Sequence, residues 1–163
     1  MKYEILTEEE CKQIVAAIEQ AELDCSGEIR VHVDGHCKDN VLDSASMTFA
    51  KLGMHRTKLR NGVLFYLAAL DKKFAVIGDV GINSKVGKHF WDDVVSAMTV
   101  KFKEGLFAEG LCDGILRCGE QLKTYFPYQS DDVNELDDEV SFGEDAKVKQ
   151  SSCGEQPNEV TFG

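Results

Sequence analysis

The sequence has no apolar run long enough to span a bilayer. Its start, Met1-Lys2-Tyr3-Glu4-Ile5-Leu6, leads straight into acidic residues, with no apolar core of the secretory type. The chain is therefore read as cytoplasmic, with no membrane span. Basic residues are scarce: 18 Lys and Arg stand against 29 Asp and Glu, for a net charge of −11. That balance excludes duplex DNA or RNA as the main partner, because phosphate backbones need a basic surface. None of the six cysteines (Cys11, Cys25, Cys37, Cys112, Cys118, Cys153) forms a C-x-x-C pair, so a zinc ribbon or a redox dithiol is not indicated and free thiols are expected. Three catalytic signatures are missing as well: the G-x-S-x-G elbow, the P-loop and the dinucleotide fingerprint.

What is present points to one α/β domain. Two apolar runs, 63–70 and 74–78, flank a polar Asp71-Lys72-Lys73 turn and read as an antiparallel hairpin. Neither run alternates apolar with polar, so both are expected at the centre of a sheet covered on both faces. Thr7-Glu8-Glu9-Glu10 is a capping box opening a helix to about Leu23. Glu28-Ile29-Arg30-Val31-His32-Val33 alternates strictly and reads as a strand with one buried face. A second helix, marked by Leu42, Ala45, Phe49 and Leu52, ends at Gly53. The strand–helix–strand order predicts a parallel, right-handed crossover into the hairpin. A third helix, capped at Asn83 or Ser84, is expected from the stripe Val86, Phe90, Val94, Met98 and Phe102. A fourth runs from about Ala108 to Tyr125, with Gly110 and Gly114 one turn apart to admit a close neighbour. The fold class is thus α/β, a three-layer α/β/α sandwich with a central mixed sheet, Rossmann-like. The domain is assigned to 1–127 and an acidic tail to 128–163. That tail holds ten acidic and two basic side chains and carries −8 of the net charge. It is expected to be flexible, being too poor in apolar residues to build a core.

The tail contains a repeat. Asp138-Glu139-Val140-Ser141-Phe142-Gly143 recurs as Asn158-Glu159-Val160-Thr161-Phe162-Gly163. Val and Phe two positions apart share one face of an extended strand, the pattern of β-augmentation on a sheet edge. One repeat is therefore expected to dock in extended form on the domain of this or another copy.

If the first two strands are parallel, Ser26, Glu28, Asn61, Asp79 and Asn83 converge at one edge of the sheet. Carboxylate and amide oxygens of this kind suit Ca²⁺ or Mg²⁺. Glu28, Asn61, Asp79 and Asn83 are the candidate metal ligands. The alternative is ordinary strand-end polarity with a helix cap at Asn83. The loop 54–60, with Arg56, Lys58 and Arg60, leads to the same edge. Asp79, Arg56 and Arg60 are the candidate catalytic residues: the carboxylate to hold a metal, the guanidinium groups to neutralise a phosphate. The opposite edge gathers Asp34, His36, Cys37, Asp39 and Asp71, with poor spacing for zinc.

Four stretches together resemble the TPM domain family: Ser26-Gly27-Glu28-Ile29-Arg30-Val31, Arg60-Asn61-Gly62-Val63-Leu64, Ile77-Gly78-Asp79-Val80-Gly81-Ile82 and Phe107-Ala108-Glu109-Gly110-Leu111. That family includes thylakoid-lumen proteins linked to photosystem II repair and many small bacterial proteins. The resemblance covers about residues 5–127 and implies an α/β/α sandwich, divalent-metal binding and, in some members, acid phosphatase activity. Without a signal peptide or transmembrane segment, the chain resembles the soluble bacterial subgroup. Two functional expectations follow. The first is a TPM-type domain that binds Ca²⁺ or Mg²⁺, with weak, metal-dependent phosphatase activity on a phosphate-containing small molecule. The alternative is a non-catalytic interaction module for an extended peptide or protein segment such as its own tail repeat.

Overall fold

Helix α1 (Glu8–Asp24) begins at the capping box. In the computed structural model, which describes residues 2–128 and 139–149, the Glu10 N–H donates to Thr7 Oγ1 at 3.0 Å, and the Thr7 N–H donates to Glu10 Oε1 at 2.9 Å. Two backbone donors that no helical carbonyl can reach are thereby satisfied. The helix then buries Ile14, Ala17, Ile18 and Ala21.

Strand β2 (Glu28–Asp34) follows. Helix α2 (Val41–Lys51) and a 3-10 turn (Met54–Arg56) carry the chain over the sheet. Strand β3 (Gly62–Ala68) then pairs in parallel with β2, as the crossover predicts. Strand β4 (Lys73–Gly78) returns antiparallel to β3. The strand order is β4-β3-β2-β5, the last being Val140–Phe142, parallel to β2.

β3 is buried along its whole length, which explains why its sequence does not alternate. Val63, Phe65 and Leu67 face the larger core beneath α1, α4 (Asp92–Lys103) and α5 (Phe107–Leu122). Leu64, Tyr66 and Ala68 face a smaller core with Ala45 of α2 and Met54. Helices on both faces of a mixed sheet give the three layers. β4, by contrast, is an edge strand rather than a central one. Its Phe74, Val76 and Ile77 are only half-buried, packing against the cores on the two faces of the sheet.

Three further features depart from the sequence-based expectation. The helix expected from a cap at Asn83 or Ser84 is split. Asp79 caps a one-turn helix, α3 (Val80–Asn83), and α4 starts only at Asp92. Val86 and Phe90 still pack on the core from the intervening turns, so their spacing mimics a helical stripe although Gly87 disfavours helix there. A strand β1 (Tyr3–Thr7) precedes α1 and pairs in parallel with β6 (Ala146–Lys149) as a two-stranded sheet. Both β5 and β6 come from the stretch assigned by composition to the tail. The second copy of the repeat lies outside the described residues.

α4 and α5 pack closely through the paired glycines. A Cβ on Gly110 would lie 2.4 Å from the Phe102 ring, and one on Gly114 2.5 Å from the Met98 sulfur. Among the described residues, no helix is long and apolar enough to cross a membrane.

Candidate functional site at the strand ends

The parallel register sets Glu28 opposite Gly62, and the antiparallel register sets Gly78 opposite Val63. The starts of β2 and β3 and the end of β4 therefore meet at one edge of the sheet. The Glu28 N–H donates to the Asn61 carbonyl at 3.2 Å and the Asp79 N–H to the Gly62 carbonyl at 3.0 Å. Glu28, Asn61 and Asp79 are all buried, at 6%, 1% and 6% exposure. The Asn61 side-chain amide donates to the Ser26 carbonyl at 3.0 Å, which leaves its own oxygen as an acceptor. Asn83 is tied in differently: its amide donates to the Gly78 carbonyl at 2.9 Å, bracing the turn that carries Asp79. The backbone at these five positions is brought to one edge, through bonds that end on main-chain carbonyls.

The sequence did not reveal how Asp79 is engaged. Arg60 donates to both of its oxygens, Nε to Oδ2 at 2.8 Å and Nη2 to Oδ1 at 3.0 Å. Asp79 Oδ1 also accepts the Val80 N–H at 2.7 Å, as the cap of α3. The hydrogen bonds that Arg60 donates to Asp79 are the main reason its guanidinium is held even more firmly protonated than usual. Arg60 has φ of 52°, an uncommon left-handed backbone for a residue with a side chain. Its carbonyl accepts the Gly81 N–H at 2.8 Å, and a Cβ on Gly81 would fall 2.2 Å from the Leu59 carbonyl oxygen. The bare backbone of Gly81 is thus what lets the 57–61 loop fold down onto the Asp79 turn. Arg56, the other candidate, is exposed on the 3-10 turn, its guanidinium against Gly53. Of the two arginines, Arg60 is the one on the carboxylate.

Among the described residues, no three His, Cys, Asp or Glu side chains cluster as a metal centre. The oxygen-bearing side chains buried along this edge are those of Glu28, Asn61 and Asp79. Their chemistry fits a hard cation, provided that Arg60 leaves Asp79, and Arg60 is 46% exposed on its outer side.

The family model of the TPM domain matches residues 2–121. The chain belongs to the TPM domain family. Among solved structures, it resembles the NMR structure of BA42 from the psychrophilic bacterium Bizionia argentinensis, at 48% identity and a TM-score of 0.82, over 86% of this chain and 97% of that one. The N-terminal domain of a P. gingivalis protein shares the fold at 17% identity and a TM-score of 0.60, over 75% of this chain and 79% of that one. No curated protein matches the chain.

At the other end of this TPM domain a second polar cluster lies on the face of β2 that Tyr66 shares with the smaller core. Asp34 accepts from His32 Nε2 at 3.1 Å and from the Tyr66 hydroxyl. With Nε2 protonated towards Asp34, His32 Nδ1 is left to accept the Ser141 hydroxyl of β5. Burial pushes the Asp34 carboxyl up, but the hydrogen bonds from His32 and Tyr66 outweigh it and leave Asp34 below the ordinary range. Burial, reinforced by Asp34, drives the Tyr66 phenol far above its usual value. The residue types are those of a hydrolytic triad, yet this hydroxyl sits inside a paired strand rather than on an exposed nucleophile turn. The cluster acts as a clasp between β2 and β5. The His32 side chain is only 12% exposed. The one signal for it was the hydroxyl residue at the centre of each tail repeat.

Beside the clasp, Asp71 accepts from the His36 ring at 2.7 Å and from the Cys37 N–H at 2.8 Å. The His36 bond foremost, then the Cys37 N–H, holds the Asp71 carboxyl down to about 2. A depressed carboxyl stabilises the fold fully above its unfolded value, roughly 3.9, and loses that contribution as pH falls through the folded value. The melting midpoints of wild type and Asp71→Asn should therefore differ at pH 5 and converge as pH falls to about 2. A gap that stays constant across that range would remove Asp71 from the acid response.

Proposed function

We propose that the strand-end cluster of this TPM domain binds a divalent cation, Ca²⁺ or Mg²⁺. The observation that supports this reading is the burial of Glu28, Asn61 and Asp79 together at the ends of three adjacent strands. A buried carboxylate such as that of Asp79 requires a counter-charge. Arg60 supplies one for Asp79 and is half-exposed on a left-handed backbone hinge, so it acts as an exchangeable internal cation. Asn83 serves by holding the Gly78 carbonyl and the turn in place. An oxygen set assembled from turns is irregular, and Ca²⁺ tolerates this better than Mg²⁺. The finer reading is hydrolysis of a phosphate-containing small molecule at the same edge. There a bound cation would supply Lewis acidity, while Arg60, once released from Asp79, and Arg56 from the same loop would orient the phosphate.

Thermal unfolding of the full chain in chelator, Ca²⁺ and Mg²⁺ tests the cation. At a hundredfold excess over the dissociation constant, a ligand bound only by the native state adds about 2.7 kcal/mol. Glu28→Gln is expected to lose that rise. Arg60→Gln is expected to reach it at lower cation concentration, because the competing guanidinium is gone. A wild type that no cation shifts, or a Glu28→Gln chain that keeps the whole shift, defeats the proposal.

A second reading is favoured by β5. Its pairing on β2 supports an interaction module whose sheet accepts an extended peptide.

A further inference from the structure

We propose that the β5 position on β2 is a motif-reading slot, and that its second occupant is the other tail repeat, Asn158-Glu159-Val160-Thr161-Phe162-Gly163. This inference rests on the peptide-module reading and is independent of the cation. The last four of the six motif positions in the first copy each have a separate physical reason in the fold. Val140 and Phe142 pair with Val31 and Val33 and pack against the larger core. Ser141 points to the opposite face and bonds His32 Nδ1. Gly143 donates its N–H to the Val33 carbonyl at 2.9 Å, and a Cβ there would fall 1.7 Å from Asp34 Oδ1. The slot therefore asks for an apolar residue, a hydroxyl, an aromatic residue and a glycine, in that order.

The second copy offers Val160, Thr161, Phe162 and Gly163. Its one change within these four, Thr for Ser, keeps the hydroxyl that His32 reads and adds a methyl that suits a strand. Asp138 becomes Asn158, outside the paired residues. Asp145, which accepts the Gly35 and His36 N–H groups at 2.7 and 2.8 Å, also lies outside the shared six residues. Those contacts belong to the first copy and favour it as resident. The second copy sits 20 residues further along the chain. Lengthening a closing loop by that much adds only a slowly growing entropic penalty, so reach does not prevent the exchange.

The test uses the full chain and three variants: Phe142→Ala, Phe162→Ala and the double. Amide hydrogen exchange is followed on β2, together with the His32 ring signals. In Phe142→Ala the second copy is expected to enter the slot, keeping β2 protected and shifting the amides of 159–163. The double variant should exchange at β2 about tenfold faster or more, since an opened edge loses local protection. If the single Phe142→Ala variant already exchanges like the double, or if the amides of 159–163 do not move in it, the inference fails. A second measurement adds peptides to the double variant. A peptide of residues 155–163 should restore the His32 signals, and its Phe162→Ala version should not. If a peptide of residues 136–149 restores them and the 155–163 peptide does not, the slot stands as a peptide site but its second occupant is wrong. If neither peptide restores them, both the inference and the module reading fall.

Discussion

Phe65→Ala should lower the unfolding free energy by about 3–5 kcal/mol, the range for deleting a buried aromatic from a core. Phe65 is fully buried at the midpoint of β3 and belongs to the core shared with α1, α4 and α5. Its ring lies 3.2 Å from where a Cβ on Gly114 would stand, so it fills the space that the α5 glycines open. Collapse into the resulting cavity would require α5 to move, and α5 is already held against α1 at Gly119, where a Cβ would come 2.9 Å from the Ala21 Cα. Denaturant unfolding of Phe65→Ala and wild type measures the loss. A change under about 1 kcal/mol would mean that the helical layer is loosely seated on β3.

Gly81→Ala should have the second large effect, and it bears on the candidate site. A methyl group there meets two backbone carbonyl oxygens, Leu59 at 2.2 Å and Arg60 at 2.5 Å. Neither is the flexible end of a side chain, so the 57–61 loop has to lift. The expected destabilisation is about 3 kcal/mol, at the upper end for overpacking. Lifting the loop also draws Arg60 away from Asp79 and breaks a bidentate pair on a buried carboxylate. Gly87→Ala is the control, because nothing lies within 4 Å of its Cβ position and its backbone is not left-handed. It should be neutral or stabilising by up to about 1 kcal/mol, through the entropy of the unfolded chain. Equal effects of the two substitutions would contradict the close approach at Gly81.

Much of this TPM domain is local in origin and therefore legible in the chain. The Thr7–Glu10 capping box needs only residues three apart. The alternation of Glu28–Val33 and the unbroken apolar run of β3 report one buried face and two buried faces respectively. The convergence of Glu28, Asn61 and Asp79 follows from strand direction alone: once β2 and β3 are parallel and β4 returns, their ends must meet. What the local pattern did not decide is who partners whom. Asp79 reads equally well as a free ligand, a helix cap or one half of an ion pair, and only the left-handed turn at Arg60, allowed by Gly81, settles that its oxygens are shared between Arg60 and the Val80 N–H. The stripe Val86–Phe90–Val94 has helical spacing, yet turns return the same side chains to the core, since burial rewards position and not hydrogen-bond pattern. The repeat pattern anticipates β5 as a docked strand, but β6 escapes notice and the whole stretch falls to the tail, because composition marks a segment as core only when the segment carries its own core. Val140 and Phe142 borrow one from α1 and β2, and Ser141 finds His32 from 109 residues away. The sequence by itself determined α1, the β2–α2–β3–β4 run and α5, in that order. The tertiary structure alone decided the pairings, because a hydrogen bond between distant residues leaves no periodicity in the chain.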